Sequence, residues 1–407
     1  MTFLCIIELY KCMCYHKSLI RGIIMECTWG RKEFAEQLGK LQTLIEQETD
    51  IKKRLYLEKV LDISNKLYYE TFIDFPRPKV TAKQRLTSIL DSNFMYGRYY
   101  SIVRSFFNSV SDHIDTIDAI SDKLEDINPD GNFDFMNTGA TVVFEDTVNL
   151  VREFYKRFDP ELYQYFLEVY NDREHSLRSM PLPEGETKTD GTTLFIDGVR
   201  KNFISVYETD PLNTYICTVH EYGHAIANLI NPEVSYTDRE DLFVEVASIF
   251  PELVALYENG FNFDTIQVLY SMYTTLVTYV NKAEYLCLHT PIINTWADNK
   301  HVMSKKFFEE LEESYDMDDD CFEEALATTI EDEGIYVISY TVALELLHMY
   351  KKNKKEALEL FKRFLKYPAK EDILTFVVEN IPINEHAGEE AQIILSKFSK
   401  ELKKRRY

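Results

Sequence analysis

Basic residues are scarce in this sequence of 407 residues. Lysine and arginine together number 45, against 68 aspartates and glutamates, which gives a formal net charge of −23. Nucleic acids and anionic membranes attract proteins through clustered positive charge. We therefore expect a protein that binds neither nucleic acid nor membrane.

Cysteine is infrequent too, and its spacing forms no pattern. Four of the seven cysteines lie within the first 27 residues, and the others are scattered at Cys217, Cys287 and Cys321. A disulfide framework or a cysteine-rich metal site requires regular spacing, which this sequence lacks. This distribution favours a reducing compartment, and we predict a cytoplasmic protein.

Long apolar segments are also missing. The best candidate, residues 265–281, carries no charge but contains Gln267, Asn281 and several hydroxyl side chains. A membrane span needs about 20 predominantly apolar residues, so this stretch predicts a buried helix.

The rest of the chain shows mainly helical periodicity. The turn cluster Asn128–Asn132 predicts a boundary between an N-terminal helical lobe, residues 1–130, and a catalytic region, residues 131–407. Residues 192–208 differ, because β-forming side chains flank Asp197-Gly198 and predict a small β-hairpin. A strand at this place either holds a peptide by main-chain hydrogen bonds or is purely structural.

Residues 1–24 stand apart from this pattern. Phe3–Ile7 is apolar, but no small-residue cleavage pattern follows it, so we expect no signal peptide. Both Met1 and Met25 remain possible translation starts.

One stretch carries recognisable chemistry. His220, Glu221 and His224 form the H-E-x-x-H pattern, which on a helix places both imidazoles on one face, where they can bind one Zn²⁺. Glu221 lies about 100° round the helix, where it can accept a proton from zinc-bound water. Asp210-Pro211 and Asn231-Pro232 supply the start and stop signals of that helix.

A catalytic zinc ion needs a third protein ligand. Glu245 follows His224 by 21 positions, which allows a second helix to return past the first, and we predict it as that ligand. Glu252 lies two turns further on and is predicted to orient a ligand histidine. The alternative is that both glutamates are solvated charges on an exposed face. Gly223 is unfavourable inside a helix, which suggests that something passes close to it.

These residues resemble the zinc-site signature of the thimet oligopeptidase and oligoendopeptidase F family of metallopeptidases. The resemblance rests on His220–Ala225, Phe243–Ser248 and Glu252, and extends upstream to Gly191–Ile196 and downstream to Ile335–Tyr340. It implies a mainly α, zincin-type fold with an N-terminal helical lobe and a small sheet beside the active-site helix. It also implies one zinc ion per chain and endopeptidase activity on short, unfolded peptides.

The resemblance also suggests a donor to the oxyanion of the reaction. Tyr340 matches one of the family's C-terminal tyrosines, and Tyr336 lies one helical turn before it. The family's nearby histidine has no counterpart, because the carboxylates of residues 331–333 stand there. The remaining candidates for its role are His289, His301 and His348.

Other interpretations remain open. Tyr336 and Tyr340 could simply pack the start of an apolar helix. The protein could be a catalytically weak, zinc-containing peptide-binding protein, or a helical scaffold in which the H-E-x-x-H pattern is coincidental. No feature of the sequence defines the oligomeric state.

Overall fold

The computed structural model describes residues 38–43, 45, 47, 54, 61, 93–127, 143–181, 191–196, 201–232, 240–261, 263–298, 334–368, 371–383 and 385–404. The chain divides into two compact units, Met1–Lys79 with Leu194–Phe203 and Val80–Thr193 with Ile204–Tyr407. The second unit contains the residues of the H-E-x-x-H pattern. The predicted boundary at Asn128–Asn132 lies outside the described residues.

Helices dominate the described part of the chain. They are α1 Asn93–Val110, α2 Ile114–Ile127, α3 Phe144–Phe158, α4 Leu162–Asn171, α5 Arg173–Ser176, α6 Pro211–Ile230, α7 Glu240–Glu258, α8 Thr265–Asp298, α9 Gly334–Lys352, α10 Lys354–Leu365, α11 Ile373–Asn380 and α12 Ala387–Lys404, with a 3-10 turn at Ser111–His113. None of the described helices combines the length and apolar character that a bilayer crossing requires. The predicted mainly helical fold class is confirmed.

Three strands form one small sheet. They are β1 Leu177–Pro181, β2 Gly191–Ile196 and β3 Lys201–Glu208, in the order β1-β3-β2. β1 runs parallel to β3, with Leu177 opposite Ile204. The arms of the predicted hairpin are β2 and β3, and its turn residues lie outside the described part of the chain.

Helix α6 begins and ends where its sequence signals predict. The Asp210 carboxylate accepts hydrogen bonds from the backbone N–H groups of Leu212 at 3.0 Å and Asn213 at 3.1 Å. Pro211 occupies the first helical position, where its missing N–H costs nothing. The helix ends at Ile230, directly before the Asn231-Pro232 stop.

Tight packing fixes α6 in the core. Tyr155 of α3 donates a hydrogen bond from Oη to the carbonyl of Val219 at 2.8 Å, and its ring stacks on Phe166 of α4. On another side, a Cβ placed at Gly223 would lie 2.6 Å from the Cα of Ser248 in α7. Only glycine allows this approach, so the expected close neighbour of Gly223 is the backbone of α7.

Candidate metal centre

The two histidines of α6 and Glu245 of α7 meet at one point. The imidazole rings of His220 and His224 lie 4.7 Å apart, at 82° to each other. Their Nε2 atoms lie 3.7 Å and 3.9 Å, respectively, from the two carboxylate oxygens of Glu245. One ligand atom from each residue can be chosen so that all lie within 4.8 Å of one another, and the group could hold a metal ion.

The donor set fits zinc. Two imidazoles and one carboxylate are the protein ligands of a common type of catalytic zinc site, with the fourth position left to water. Ligand atoms at about 2.0–2.2 Å around a tetrahedral ion lie about 3.3–3.6 Å apart. The separations from Glu245 of 3.7 Å and 3.9 Å are close to that value.

Glu252 is a hydrogen-bond partner of His220. Its carboxylate lies 3.0 Å from His220 Nδ1, which leaves Nε2 directed towards Glu245. Burial lowers the pKa of His220, but the hydrogen bond to Glu252 and the charges of Glu245, Glu252 and Glu221 together raise it to about 9. The carboxylates therefore make this point favourable for a positive charge, whether a proton or a metal ion. The contact agrees with the orienting role that the sequence predicts for Glu252, and that role stays a prediction.

His224 lies in a different electrostatic environment. Burial, together with the neighbouring His220, lowers its pKa well below the ordinary value. The ring therefore stays neutral, which is the form of imidazole that binds a metal.

Glu221 lies against strand β2. It is 4% exposed, and its Oε2 accepts a hydrogen bond from the Thr193 hydroxyl at 2.6 Å. A Cβ placed at Gly191 would lie 2.5 Å from Glu221 Oε1, so a larger residue at this position would displace the carboxylate. Gly191 and Thr193, which we call the seat of Glu221, thus hold its carboxylate from β2. They lie on the side of α6 opposite to the side that α7 approaches at Gly223.

Sequence reasoning missed this seat. The sequence of the Gly191–Ile196 segment indicates only a family resemblance and β-propensity. Thr193 and Glu221 are 28 positions apart, and no local pattern shows that a strand and a helix will meet at this register. The alternation of side chains along β2 was the only available signal.

Tyr340 lies inside the protein. It is 0% exposed, its ring stacks on Tyr279 of α8 at 4.3 Å, and its Oη has no hydrogen-bond partner in the described structure. Tyr336 is half-buried, with Lys282 Nζ 5.1 Å from its ring centre. Burial and the charges of Glu252 and Glu245 raise the pKa of Tyr279, a part-exposed phenol that the sequence did not single out.

The three histidines that are candidates for the role of the family's histidine either lie in another cluster or have side chains outside the described structure. His348 Nδ1 lies 2.9 Å from Glu390 on α12, within a second buried group of histidines and glutamates. The side chain of His289, all of His301 and residues 331–333 lie outside what the structure describes. Of these three histidines, only His348 has a described side chain, and its partner is Glu390 rather than a residue of the metal centre.

Comparison with known proteins gives a likeness of fold. No family model and no curated protein matches the chain. Among solved structures, PZ peptidase A with an inhibitor matches with a TM-score of 0.50 and 13% identity, over 96% of this chain and 78% of that one. A protein assigned as oligoendopeptidase F, solved at 3.1 Å, matches with a TM-score of 0.49 and 14% identity, over 92% of this chain and 74% of that one. Another protein assigned as oligoendopeptidase F, from Bacillus anthracis str. Ames, matches with a TM-score of 0.47 and 14% identity, over 87% of this chain and 64% of that one.

This chain has the fold of PZ peptidase A. At an identity of 13% the likeness concerns the arrangement of helices and strands alone. The chain spans only 64% of the length of the B. anthracis protein. Activity must therefore be argued from the side chains at the site.

Proposed function

We propose that this protein is a zinc-dependent endopeptidase that hydrolyses short, unfolded peptides. One zinc ion per chain would be held by His220, His224 and Glu245. The observation that carries the proposal is the meeting of these three side chains, with their ligand atoms within 4.8 Å, beside the buried carboxylate of Glu221.

Glu221 is the proposed general base. When bound, zinc would polarise the scissile carbonyl and lower the pKa of the attacking water to near 7. Glu221 takes the proton of that water and later delivers it to the leaving amine. Thr193 holds Oε2 of this carboxylate in place. Glu252 keeps His220 in the orientation that metal binding needs.

The sheet supports a peptide as substrate. In the described sheet β2 lies at one end of the strand order, and it carries the seat of Glu221. A peptide that pairs with such a strand is held by its main chain, whatever its sequence, and comes to lie beside the general base. Only an extended, unfolded chain can pair in this way. The fold likeness to PZ peptidase A agrees with this substrate class.

Tyr340 remains the proposed donor to the oxyanion, with Tyr336 as the second choice. The resemblance of Ile335–Tyr340 to the family carries this assignment. Since Tyr340 is fully buried and its ring stacks on Tyr279, the role requires that a path to its hydroxyl opens when substrate binds.

Cleavage of a mixed peptide library, read by mass spectrometry, tests the proposal. Zinc-loaded protein should cut short peptides at internal bonds, and it should cut a stable folded protein much more slowly. Chelator-treated protein and the Glu221→Gln variant serve as controls and should cut neither. Retention of peptides without cleavage by the loaded protein would instead identify a zinc-containing peptide-binding protein. We propose a cytoplasmic location, in agreement with the cysteine distribution.

A further inference from the structure

A cavity of about 450 Å³ is lined by residues other than those of the candidate metal centre. It is bounded by the end of α7, the first turns of α8, Lys351 of α9 and the second half of α12. None of its lining residues belongs to the group of His220, His224, Glu245 and Glu252. Its volume falls in the range of about 300–1,000 Å³ that is usual for small-molecule sites.

Most of the uncharged lining residues of the cavity are apolar and belong to the protein core, with Asn259 and Thr265 as the polar ones. Five aliphatic lining residues have exposed fractions between 2% and 8%: Leu256, Val268, Leu269, Met272 and Ile394. Tyr257, which is 41% exposed, also lines the cavity. Walls of this kind favour a hydrocarbon chain over a polar ligand.

The charged lining residues have the opposite sign to the chain as a whole. The full sequence has 68 acidic and 45 basic residues, whereas the cavity is lined by four lysines and one glutamate. Three of the lysines, Lys397, Lys400 and Lys404, follow Ile393 along one stripe of α12. Lys351 faces them from α9, where its Nζ lies 4.9 Å from the Tyr257 ring centre and pairs with Glu390.

The favourable position of a cation at the end of a helix explains only one of the lysines on α12. Lys404 lies in the last turn of α12, where a cation is favourable, and it pairs with Glu401 at 2.7 Å. Lys397 and Lys400 precede that turn and, within the described part of the chain, make no ion pair. Like charges at this spacing repel each other, so a bound anion would relieve an existing repulsion.

We propose that this cavity binds a long-chain carboxylate, with the alkyl chain against the aliphatic wall and the carboxylate between Lys397 and Lys400. The apolar walls select the chain, and the lysines select a single anionic head group. This site is independent of the proposed peptidase activity.

Calorimetric titration of the full-length protein with laurate tests the proposal. A chelator is included, so that the laurate carboxylate has no metal to bind. We expect saturable binding of one laurate per chain, and at least tenfold weaker binding of hexanoate, which lacks chain length, and of dodecanol, which lacks the charge. The double variant Lys397→Gln/Lys400→Gln should bind laurate at least tenfold more weakly. Lys403→Gln, on the same helix but outside the cavity lining, should bind it as the wild type does.

Two results would overturn the proposal. One is the absence of saturable laurate binding to the wild-type chain. The other is equal affinity of the wild type and the double variant, with circular dichroism confirming that both are folded. Because these exposed lysines contribute little to the core, the double variant should fold normally.

Discussion

Two largely buried groups among the described residues contain the same kinds of residue, two histidines and two glutamates each. The α6–α7 cluster is His220, His224, Glu245 and Glu252; the α9–α12 cluster is His348, His386, Glu345 and Glu390. The imidazoles of the first meet at 82°, with both Nε2 atoms directed at one carboxylate. The imidazoles of the second cluster are stacked, with ring centres 3.8 Å apart and an angle of 17° between the ring planes. The Nδ1 atom of each lies next to its own glutamate.

Convergence of the side chains, rather than their composition, distinguishes the cluster that could hold a metal ion from the other. Histidines one turn apart on one helix can direct their Nε2 atoms at a common point. His348 on α9 and His386, just before α12, instead stack on each other, and each contacts its own glutamate. Glu345 also accepts hydrogen bonds from the backbone N–H groups of His386 and Ala387, so it caps the start of α12. Among the described residues, only the α6–α7 cluster has a metal-binding arrangement.

The largest effect on turnover is expected at Glu221, and the buried carboxylate of Glu345 serves as its control. Glu221→Gln should keep zinc and fold normally, but lower kcat by about 10²–10⁴, because it removes the base without removing a ligand. Glu345→Gln should lower the melting temperature while kcat per folded molecule stays normal. Steady-state kinetics and thermal melting measure both. An unchanged kcat in Glu221→Gln would rule out the proposed base.

The next effect concerns two tyrosines of helix α9. If Tyr340 donates to the oxyanion, Tyr340→Phe should lower kcat and kcat/KM together by about 10²–10³, at unchanged zinc content. Tyr350, whose hydroxyl donates to Glu258 at 2.6 Å, is the matched control, and Tyr350→Phe should affect stability alone. Normal turnover in both Tyr340→Phe and Tyr336→Phe would mean that the two tyrosines only pack.

A smaller effect is expected at the seat of the general base. Thr193→Val should lower kcat by about 10–100-fold with zinc retained, because residues that orient a catalytic group typically contribute that much. Thr193→Ser keeps the hydroxyl and should restore most of the turnover. Thr192 is the exposed neighbour on β2, and Thr192→Val should behave as the wild type. Equal kinetics for the two valine variants would show that the hydrogen bond from Thr193 to Glu221 does not contribute to turnover.

The smallest effect on catalysis is expected from the α9–α12 cluster. Glu390 is 1% exposed and pairs with His348 and Lys351. Glu390→Ala should lower the free energy of unfolding by about 3–5 kcal/mol, because it leaves a buried partner uncompensated. Zinc content and kcat per folded molecule should not change. Loss of zinc at an unchanged unfolding free energy would reverse the roles assigned to the two clusters.

Local patterns predicted the parts of the site that lie on single helices. Asp210-Pro211 and the stop at Asn231 defined α6, and the spacing of His220 and His224 predicted that they share a face. The stripe of α7 predicted that Glu245 and Glu252 face the same helix as the histidines, and the distances to His220 agree.

Contacts between distant segments could not be predicted in this way. Thr193 reaches Glu221 only because β2 and α6 meet at one particular register, and His348 finds Glu390 on a helix 42 positions away. The burial of Tyr340 under Tyr279 depends on how α8 packs against α9. Such contacts depend on packing, which no single-segment periodicity encodes.

Zinc stoichiometry in a pair of double variants tests the central claim most directly. After loading and dialysis, the wild-type protein should hold about one zinc per chain. His348→Gln/His386→Gln should hold the same amount, whereas His220→Gln/His224→Gln should retain less than about a tenth of an equivalent. Equal zinc loss in both double variants, or a wild-type protein that retains less than about a tenth of an equivalent, would contradict the assignment of the metal to the α6–α7 cluster.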